Sequence, residues 1–394
     1  MLTYNLLLNR KVSYLVITIE KYRAGSFERS PSGYSYFMPT TINESWQWTN
    51  PEINGLLEKA AIKLGELNSF ARLVPNIDLF IQLHVAKEAV VSSRIEGTQT
   101  NMDEALLTED EIAPERRNDW REVNNYIQAL NTAIAELETL PISSRLIRRT
   151  HETLMRNVRG EHKQPGEFRT SQNWIGGTSP SDAVFVPPHH NYVDTLMGDL
   201  ENFLHNTDIQ VPALIRIAIA HYQFETIHPF LDGNGRIGRL LITLFLIDHK
   251  IMNKPLLYLS SYFEKNKGLY YDNLTFVRTK HDMTQWLKFF LVGVADTAQL
   301  AAETLANVVQ LKGKLEAEIN QSFGRKSNSA NTLLRQLFVN PITDVNKAMK
   351  ICNLSRKAAN DLVAGFVQHG ILKEITGQTR NRVFMFDRYM QCFK

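Results

Sequence analysis

The sequence of 394 residues has little cysteine, almost no net charge and no long hydrophobic run. Its two cysteines, Cys352 and Cys392, both lie near the C-terminal end, which excludes a disulfide framework and favours a reducing compartment. The 44 Lys and Arg residues against 41 Asp and Glu residues exclude a chain that is basic throughout. The longest apolar stretches, such as residues 12–19 and 240–247, are shorter than the roughly 20 residues that cross a bilayer. We therefore expect a cytoplasmic protein without membrane contact.

A signal peptide is a weak alternative interpretation of the first residues. Arg10 and Lys11 precede the apolar run 12–19, as in a short signal peptide, but no small-residue cleavage site follows. The alternative interpretation is an irregular N-terminal extension.

The length predicts two or three domains, and the 43% hydrophobic content is typical of globular proteins. Residues 1–50 are predicted to form an irregular arm. Residues 51–140 are predicted to form an N-terminal helical region that includes a helix over about 77–97. Residues 141–323 would be the core and residues 329–394 a separate small domain.

Periodic apolar residues predict a mainly α fold. The predicted helices after residue 51 cover about 77–96, 103–107, 120–140, 141–156, 192–204, 212–225, 236–250, 263–278 and 283–319. A hairpin is predicted over 174–186, because Gly176 and Gly177 precede a strand-like run that ends in two prolines. Residues 324–330 are the predicted linker. Beyond it, three short helices are expected over 332–338, 344–352 and 355–370, followed by strands over 371–375 and 383–386.

Residues 228–239 carry the most informative pattern. They read His-Pro-Phe-Leu-Asp-Gly-Asn-Gly-Arg-Ile-Gly-Arg, a glycine-rich loop between two predicted helices. Gly233, Asn234 and Gly235 allow backbone N–H groups to turn toward one point, where the dipole of the following helix adds positive potential. Arg236 and Arg239 are three residues apart on that helix and can reach one polyphosphate. The loop is therefore predicted to bind phosphates.

Two further side chains of the same segment suggest chemistry. Asp232 beside a phosphate site could hold Mg²⁺, which proteins bind through one or two carboxylates together with phosphates and waters. His228 could accept a proton at neutral pH. Any one of these residues alone is ordinary; their joint occurrence at a loop-to-helix junction is harder to explain as a simple turn.

The segment resembles the signature of Fic domains at every fixed position. The resemblance implies a Fic helical bundle with a small β-hairpin flap, over roughly residues 51–310. It also implies transfer of AMP from ATP to a Ser, Thr or Tyr hydroxyl of a protein, with release of pyrophosphate. By this resemblance His228 deprotonates the hydroxyl and Asp232 positions Mg²⁺. The loop from Gly233 to Gly235 holds phosphates, Arg236 supports the transferred group and Arg239 holds the γ-phosphate. One family branch, which phosphorylates its target, has Lys where this chain has Gly235.

Residues 92–97, Ser-Ser-Arg-Ile-Glu-Gly, resemble the inhibitory motif of the class whose inhibitory helix is N-terminal. Ser92 and Glu96 share a helical face, and a glutamate in the last turn opposes the helix dipole unless a cation pairs with it. The resemblance implies that Glu96 pairs with Arg239 and displaces ATP from its productive position. In some relatives the same glutamate is thought to assist removal of AMP, so an enzyme acting mainly in the reverse direction stays open.

The hairpin lies where the family has a flap over the active site. Ile175, Val184 and Val186 are the candidates for holding a target segment by strand addition, with packing against the core as the alternative. Tyr270 and Tyr271 resemble the aromatic pair near the adenine, although tyrosines at helical spacing also occur in cores. The protein partner would carry a hydroxyl side chain. This protein itself is one candidate target. A homodimer is a separate candidate assembly.

Residues 329–394 resemble a winged helix-turn-helix. Ser355, Arg356 and Lys357 would open the recognition helix, and residues 379–382 would form the tip of the wing. The alternative function is therefore a DNA-binding transcriptional regulator whose Fic domain is a sensor or weakly active. Protein contact or dimerisation is the competing role for this module.

Overall fold

The computed structural model describes residues 14–74, 77–158 and 162–393, and its fold is mainly helical, which confirms the predicted fold class. The signal-peptide pattern begins at Arg10 and Lys11, which lie outside the described residues. One buried hydrophobic core runs through the described helices and includes side chains of the C-terminal region.

Four short strands form the N-terminal part of the described chain: β1 (Val16–Thr18), β2 (Gly25–Arg29), β3 (Ser35–Pro39) and β4 (Ser45–Gln47). β2 and β3 are antiparallel, and β1 pairs with β4 in parallel. The prediction of an irregular arm is therefore wrong for residues 16–47. The strands depend on contacts with distant residues: the N–H of Phe37 donates to the carbonyl of Val186 at 2.9 Å, and the Trp46 ring is buried near Phe203.

The helices that follow build the core. They are α1 (Pro51–Leu73), α2 (Asp78–Ile95), α3 (Met102–Ala105), α4 (Arg117–Glu136), α5 (Ser144–Leu154), α6 (Val193–His205), α7 (Ala213–Ile227), α8 (Asn234–Asp248), α9 (Ser260–Lys265), α10 (Lys267–Lys280) and α11 (Met283–Ser322). Several begin at side chains that satisfy free backbone donors. Asn50 accepts from Glu52 N, Ser143 from Leu146 N and Asp282 from Gln285 N.

The 40-residue helix α11 is, among the described helices, the one long and apolar enough to cross a membrane by length and composition. More than half of its most apolar window is buried inside the protein, and it packs along α1. Burial of this kind is typical of a core helix. Trp286 of α11 is fully buried, and its indole Nε1 donates to the Ala218 carbonyl of α7 at 2.9 Å.

The C-terminal region contains α12 (Ser327–Val339), β5 (Ile342–Asp344), α13 (Val345–Cys352), α14 (Arg356–Gln368), β6 (Lys373–Glu374), β7 (Val383–Met385) and α15 (Asp387–Gln391). The three strands form one antiparallel sheet in the order β5, β7, β6. The linker predicted over 324–330 is wrong, because a short 3-10 turn leads directly into α12 and Ala330 is buried. The winged-helix assignment and the domain boundaries stay predictions.

Replacing Trp286 by Ala should lower the free energy of unfolding by about 3–5 kcal/mol, because the change removes a fully buried indole and leaves a cavity. Urea unfolding followed by far-UV circular dichroism measures the loss. Leu73→Ala is the control, since Leu73 is 78% exposed and should change the unfolding free energy by less than about 0.5 kcal/mol. Equal losses in both variants would contradict this assignment of the core.

Candidate active site

The predicted glycine-rich loop joins α7 to α8. α7 ends at Ile227, and His228 follows in the left-handed conformation with φ 50° and ψ 61°. Gly233, with φ 75°, precedes α8, whose first residue is Asn234. The first turn of α8 therefore presents free backbone N–H groups beside the loop, as an anion site requires.

The loop is held rigid by its own side chains. Phe230 is fully buried, and its ring stacks on His151 with centroids 3.7 Å apart. The Asn234 amide accepts from Phe230 N and donates to Phe230 O, both at 2.8 Å. Because the buried Asn234 side chain is bonded to the loop through both its oxygen and its nitrogen, its backbone N–H at the start of α8 is the group that faces an anion.

Arg169 and Asn173 are site residues that sequence reasoning missed. Arg169 is buried, and its Nε donates to the His228 carbonyl at 2.9 Å, while its backbone N–H donates to the Pro229 carbonyl at 2.8 Å. Asn173 Nδ2 donates to the Phe230 carbonyl at 2.8 Å. These side chains fix the His228 turn from a segment more than 50 residues away, and no local pattern marks them.

The environment of His228 keeps its imidazole neutral. Burial, followed by the positive charges of Arg169 and Arg278, lowers the pKa of His228 to about 4. Its Nδ1 is buried. A neutral imidazole at pH 7 can accept a proton, which is the state a general base requires.

The predicted contact between Arg239 and α2 is present. The Arg239 guanidinium is buried, and it donates from Nε to Ser92 Oγ at 2.9 Å and from NH2 to the Ser92 carbonyl at 2.9 Å and Glu96 Oε1 at 2.7 Å. Burial raises the pKa of Glu96, but the Arg239 charge and hydrogen bond together with other positive charges outweigh it, so the net pKa is lowered. Glu96 is therefore an anion held on the guanidinium.

Arg236 makes a second buried ion pair on the same helix. Its NH1 lies 3.1 Å from Glu122 Oε2 of α4, and both side chains are buried. Sequence reasoning missed Glu122, because it lies 114 residues away from Arg236. Arg236 is thus already positioned at the first turn of α8.

Asp232 has the position that a magnesium ligand would need. Its carboxylate is about half exposed, with Oδ1 accepting from Gly233 N at 2.6 Å and lying 3.8 Å from Arg236. Among the described residues, no group of three or more His, Cys, Asp or Glu side chains could hold a metal ion. The residues fit Mg²⁺ that is bound by one carboxylate and completed by nucleotide phosphates and waters.

Two glycines of α8 lie directly against the ends of neighbouring side chains. A Cβ at Gly235 would come within 2.3 Å of Glu96 Oε1 and 2.9 Å of Arg239 NH1, and a Cβ at Gly238 would come within 2.2 Å of Glu225 Oε1. A larger residue at either position would therefore require these side-chain ends to shift.

The flap and the tyrosines differ from the prediction in detail. Within the described residues, the expected hairpin is reduced to one bridge between Ile175 and Phe185. Val184 is 83% exposed. Val186 is buried, and its carbonyl accepts a hydrogen bond from the N–H of Phe37, so its side chain is not available to a target. The packing alternative therefore holds for Val186.

Only one of the two tyrosines remains accessible. The Tyr270 ring is buried, and its hydroxyl is hydrogen bonded to His221 Nε2 at 2.9 Å, so the core alternative describes it. Tyr271 is 43% exposed and packs beside it with ring centroids 5.2 Å apart. Tyr271 is thus the tyrosine that could contact a base.

Comparisons with known proteins give the family. Residues 54–135 match the family model of the Fic/DOC family N-terminal region, and residues 141–246 match that of the Fic/DOC family. Protein adenylyltransferase Fic of Drosophila willistoni is 32% identical over 195 residues, 45% of this chain and 37% of that protein. Protein adenylyltransferase fic-1 of Caenorhabditis briggsae is 26% identical over 209 residues, 50% of this chain and 39% of that protein. The chain thus spans about half or less of the length of these curated relatives.

Solved structures share the fold. A Fic family protein from Desulfovibrio desulfuricans superposes with a TM-score of 0.53 at 20% identity, covering 86% of this chain and 96% of that chain. A Fic domain containing signaling protein from Bacteroides thetaiotaomicron gives a TM-score of 0.50 at 18% identity, covering 63% and 96%. The family-model match over residues 141–246, directly after the match over residues 54–135, shows that this chain contains a Fic domain, and the solved structures show that it shares their fold.

Proposed function

We propose that this protein transfers AMP from ATP to a side-chain hydroxyl of a protein and releases pyrophosphate. The observation that carries the proposal is the junction of α7 and α8, where a neutral His228, the half-exposed Asp232 and two buried arginines surround a helix N-terminus. The names of the relatives as protein adenylyltransferases also support it.

The proposed reaction forms a bond between the hydroxyl oxygen and the α-phosphorus and breaks the bond from that phosphorus to the β-phosphate oxygen. His228 accepts the hydroxyl proton, and pyrophosphate leaves with the electron pair of the broken bond. The backbone N–H groups of the first turn of α8 and the guanidinium of Arg236 stabilise charge on the phosphates. Mg²⁺ held at Asp232 would supply neutralisation of phosphate charge when bound.

We also propose that Glu96 inhibits this reaction. The Arg239 guanidinium that would hold the γ-phosphate is occupied by Ser92 and Glu96. A triphosphate that binds productively must displace the partly exposed Glu96 carboxylate from the buried Arg239 guanidinium, which favours an unproductive pose of ATP. The reverse reaction, AMP removal assisted by Glu96, is the alternative activity of the same site.

Glu96→Gly should raise AMP attachment about tenfold or more, because it frees a guanidinium from a charge-assisted hydrogen bond. Attachment to this protein and to lysate proteins is measured by mass spectrometry with ATP and Mg²⁺. Glu115→Gly, at an exposed glutamate of a 3-10 turn, is the matched control and should leave the basal level unchanged. The double variant Glu96→Gly with His228→Ala should be inactive. Equal labelling with and without His228 would exclude the proposed AMP-transfer activity.

The pH profile tests the state of His228. With its pKa near 4, the imidazole stays unprotonated down to about pH 5.5, and the rate of Glu96→Gly should be nearly constant between pH 7.5 and 5.5. The Glu96 carboxylate raises the pKa of His228, so its removal in Glu96→Gly lowers that pKa further and strengthens this expectation. A base with an ordinary pKa of about 6.5 would instead lose about tenfold by pH 5.5. An acid limb centred near pH 6.5 in kcat/KM would contradict the assignment.

A second candidate function is supported by the C-terminal region. Arg356 at the start of α14 lines one cavity together with Arg380 and Arg382. Three guanidiniums on one surface suit phosphate contact, although Glu111 and Asp344 line the same cavity. In the regulator interpretation, a short DNA duplex should shift in a salt-dependent manner, and the shift should be lost in Arg356→Ala with Lys357→Ala. A shift that survives these changes would exclude this surface as the DNA-binding site.

A further inference from the structure

A cavity of about 420 Å³ lies beside α2, away from the phosphate loop. Its walls come from α2, from α9 and the segment before it, from α11 and from Phe393 near the C-terminal end. Glu88 of α2 lines it, and Glu88, Ser92 and Glu96 follow one another at four-residue intervals on the same helix. The cavity is therefore about 12 Å along α2 from Glu96. Its volume lies in the range of small-molecule sites.

Three residues that line this cavity each carry a buried polar atom without a hydrogen-bond partner in the described part of the chain. The atoms are His84 Nε2, Glu88 Oε2 and Tyr258 OH, and each residue is less than a tenth exposed. The other oxygen of Glu88 accepts from Tyr126 at 3.0 Å and from Ser260, so the carboxyl group is held in place. Unsatisfied buried groups are rare and costly, and here three of them belong to residues around one cavity. This part of the fold is therefore more polar inside than its own hydrogen bonds require, as in a site that receives a polar ligand.

The wall carries ionisable groups of both signs. Lys87 and Lys265 line the cavity together with Glu88 and Asp296, and burial raises the pKa of Glu88 to about 7. Burial lowers the pKa of Lys87, and no ion pair of Lys87 is present among the described residues. The remaining wall is mixed: hydroxyl and amide side chains alternate with Leu256, Ala301 and the Phe393 ring, which packs edge to face on His84 at 4.8 Å. A ligand with both charges and an apolar body matches this lining.

We propose that this cavity binds a small zwitterion with an apolar side chain, of the class of free apolar α-amino acids. The carboxylate of the ligand pairs with Lys87, and its ammonium group lies on the acidic side of the wall, where the accessible carboxylate is that of Asp296. The apolar side chain packs between Leu256, Ala301 and Phe393.

Binding would strengthen inhibition, a consequence that rests on the proposed function. α9 and α10 already hold the last turn of α2, because Lys267 Nζ donates to the Ile95 carbonyl at 2.8 Å and Arg94 pairs with Glu264 at 3.3 Å. A ligand that contacts both α2 and α9 adds contacts to the arrangement in which Glu96 is paired with Arg239. It therefore selects that arrangement over one in which α2 has moved.

The binding test uses the full chain and L-phenylalanine, with saturation-transfer NMR and calorimetry as readouts. 3-Phenylpropionate and phenethylamine, each with one of the two charges, should bind about tenfold or more weakly, since each loses a charge-assisted hydrogen bond. Lys87→Met should weaken the binding of L-phenylalanine by a similar factor. Ala301→Trp, which fills the cavity, should abolish binding. Lys59→Met, an exposed lysine of α1, is the matched control and should bind as the unmodified chain does.

Equal binding by Lys87→Met, or equal binding of the two half-charged probes, would overturn the proposed site. Absence of binding for L-phenylalanine, L-leucine and L-methionine at millimolar concentration would also overturn it, and would mean that the cavity holds water only.

The regulatory part is tested separately. L-phenylalanine should lower the basal AMP transfer of the unmodified chain and leave Glu96→Gly unaffected. Binding without this difference would overturn the proposed effect of the ligand on inhibition but not the proposed binding site. If Glu96→Gly transfers no AMP at all, the proposed function fails, and the NMR and calorimetric results still decide the site.

Discussion

The buried guanidinium of Arg239 is the charge on which the arrangement of this site depends. A buried charge is tolerated only when it is paired and hydrogen bonded, and here Ser92 of α2 and Glu96, which follows the last residue of α2, accept three hydrogen bonds from it. The pairing holds α2 against the first turns of α8, and Gly235 leaves room for it, since a Cβ there would come within 2.3 Å of Glu96 Oε1. A nucleotide γ-phosphate is the other partner that such a guanidinium suits. In the proposed mechanism, one arginine with two alternative anions gives the site two states.

The loop between α7 and α8 is organised without any ligand. Phe230 anchors it in the core, Asn234 closes it on itself, and Arg169 ties its first residues to the segment that precedes the flap. Donors that are already in place need no reorganisation during a reaction, which is the main source of electrostatic stabilisation in phosphoryl-type transfer. The proposed mechanism therefore requires a change at Glu96 and not in the phosphate loop.

The parts of the fold and site that the sequence predicts are those with local signals. The glycines, the helix ends and the spacing of Arg236 and Arg239 are read from a dozen neighbouring residues. Arg169 and Glu122 lack such a signal, because they reach their partners across 59 and 114 residues. The strands β1 to β4 were missed for the same reason, since they are short and one of them bonds to Val186. The Ser-rich segment 327–330 looks like a linker, but buried Ala330 shows that packing makes it helical.

α2 also has a role beyond the site, because the same helix contacts the C-terminal region. The Phe80 ring packs edge to face on Phe338 of α12 at 5.5 Å, and His84 packs on Phe393. A contact of this kind transmits a signal only when the shared element has two positions that differ in free energy. In the proposed mechanism, the two alternative partners of Arg239 are the physical reason for two such positions of α2. Whatever binds the C-terminal region or the adjacent cavity can then act on the site through one helix, without touching the phosphate loop.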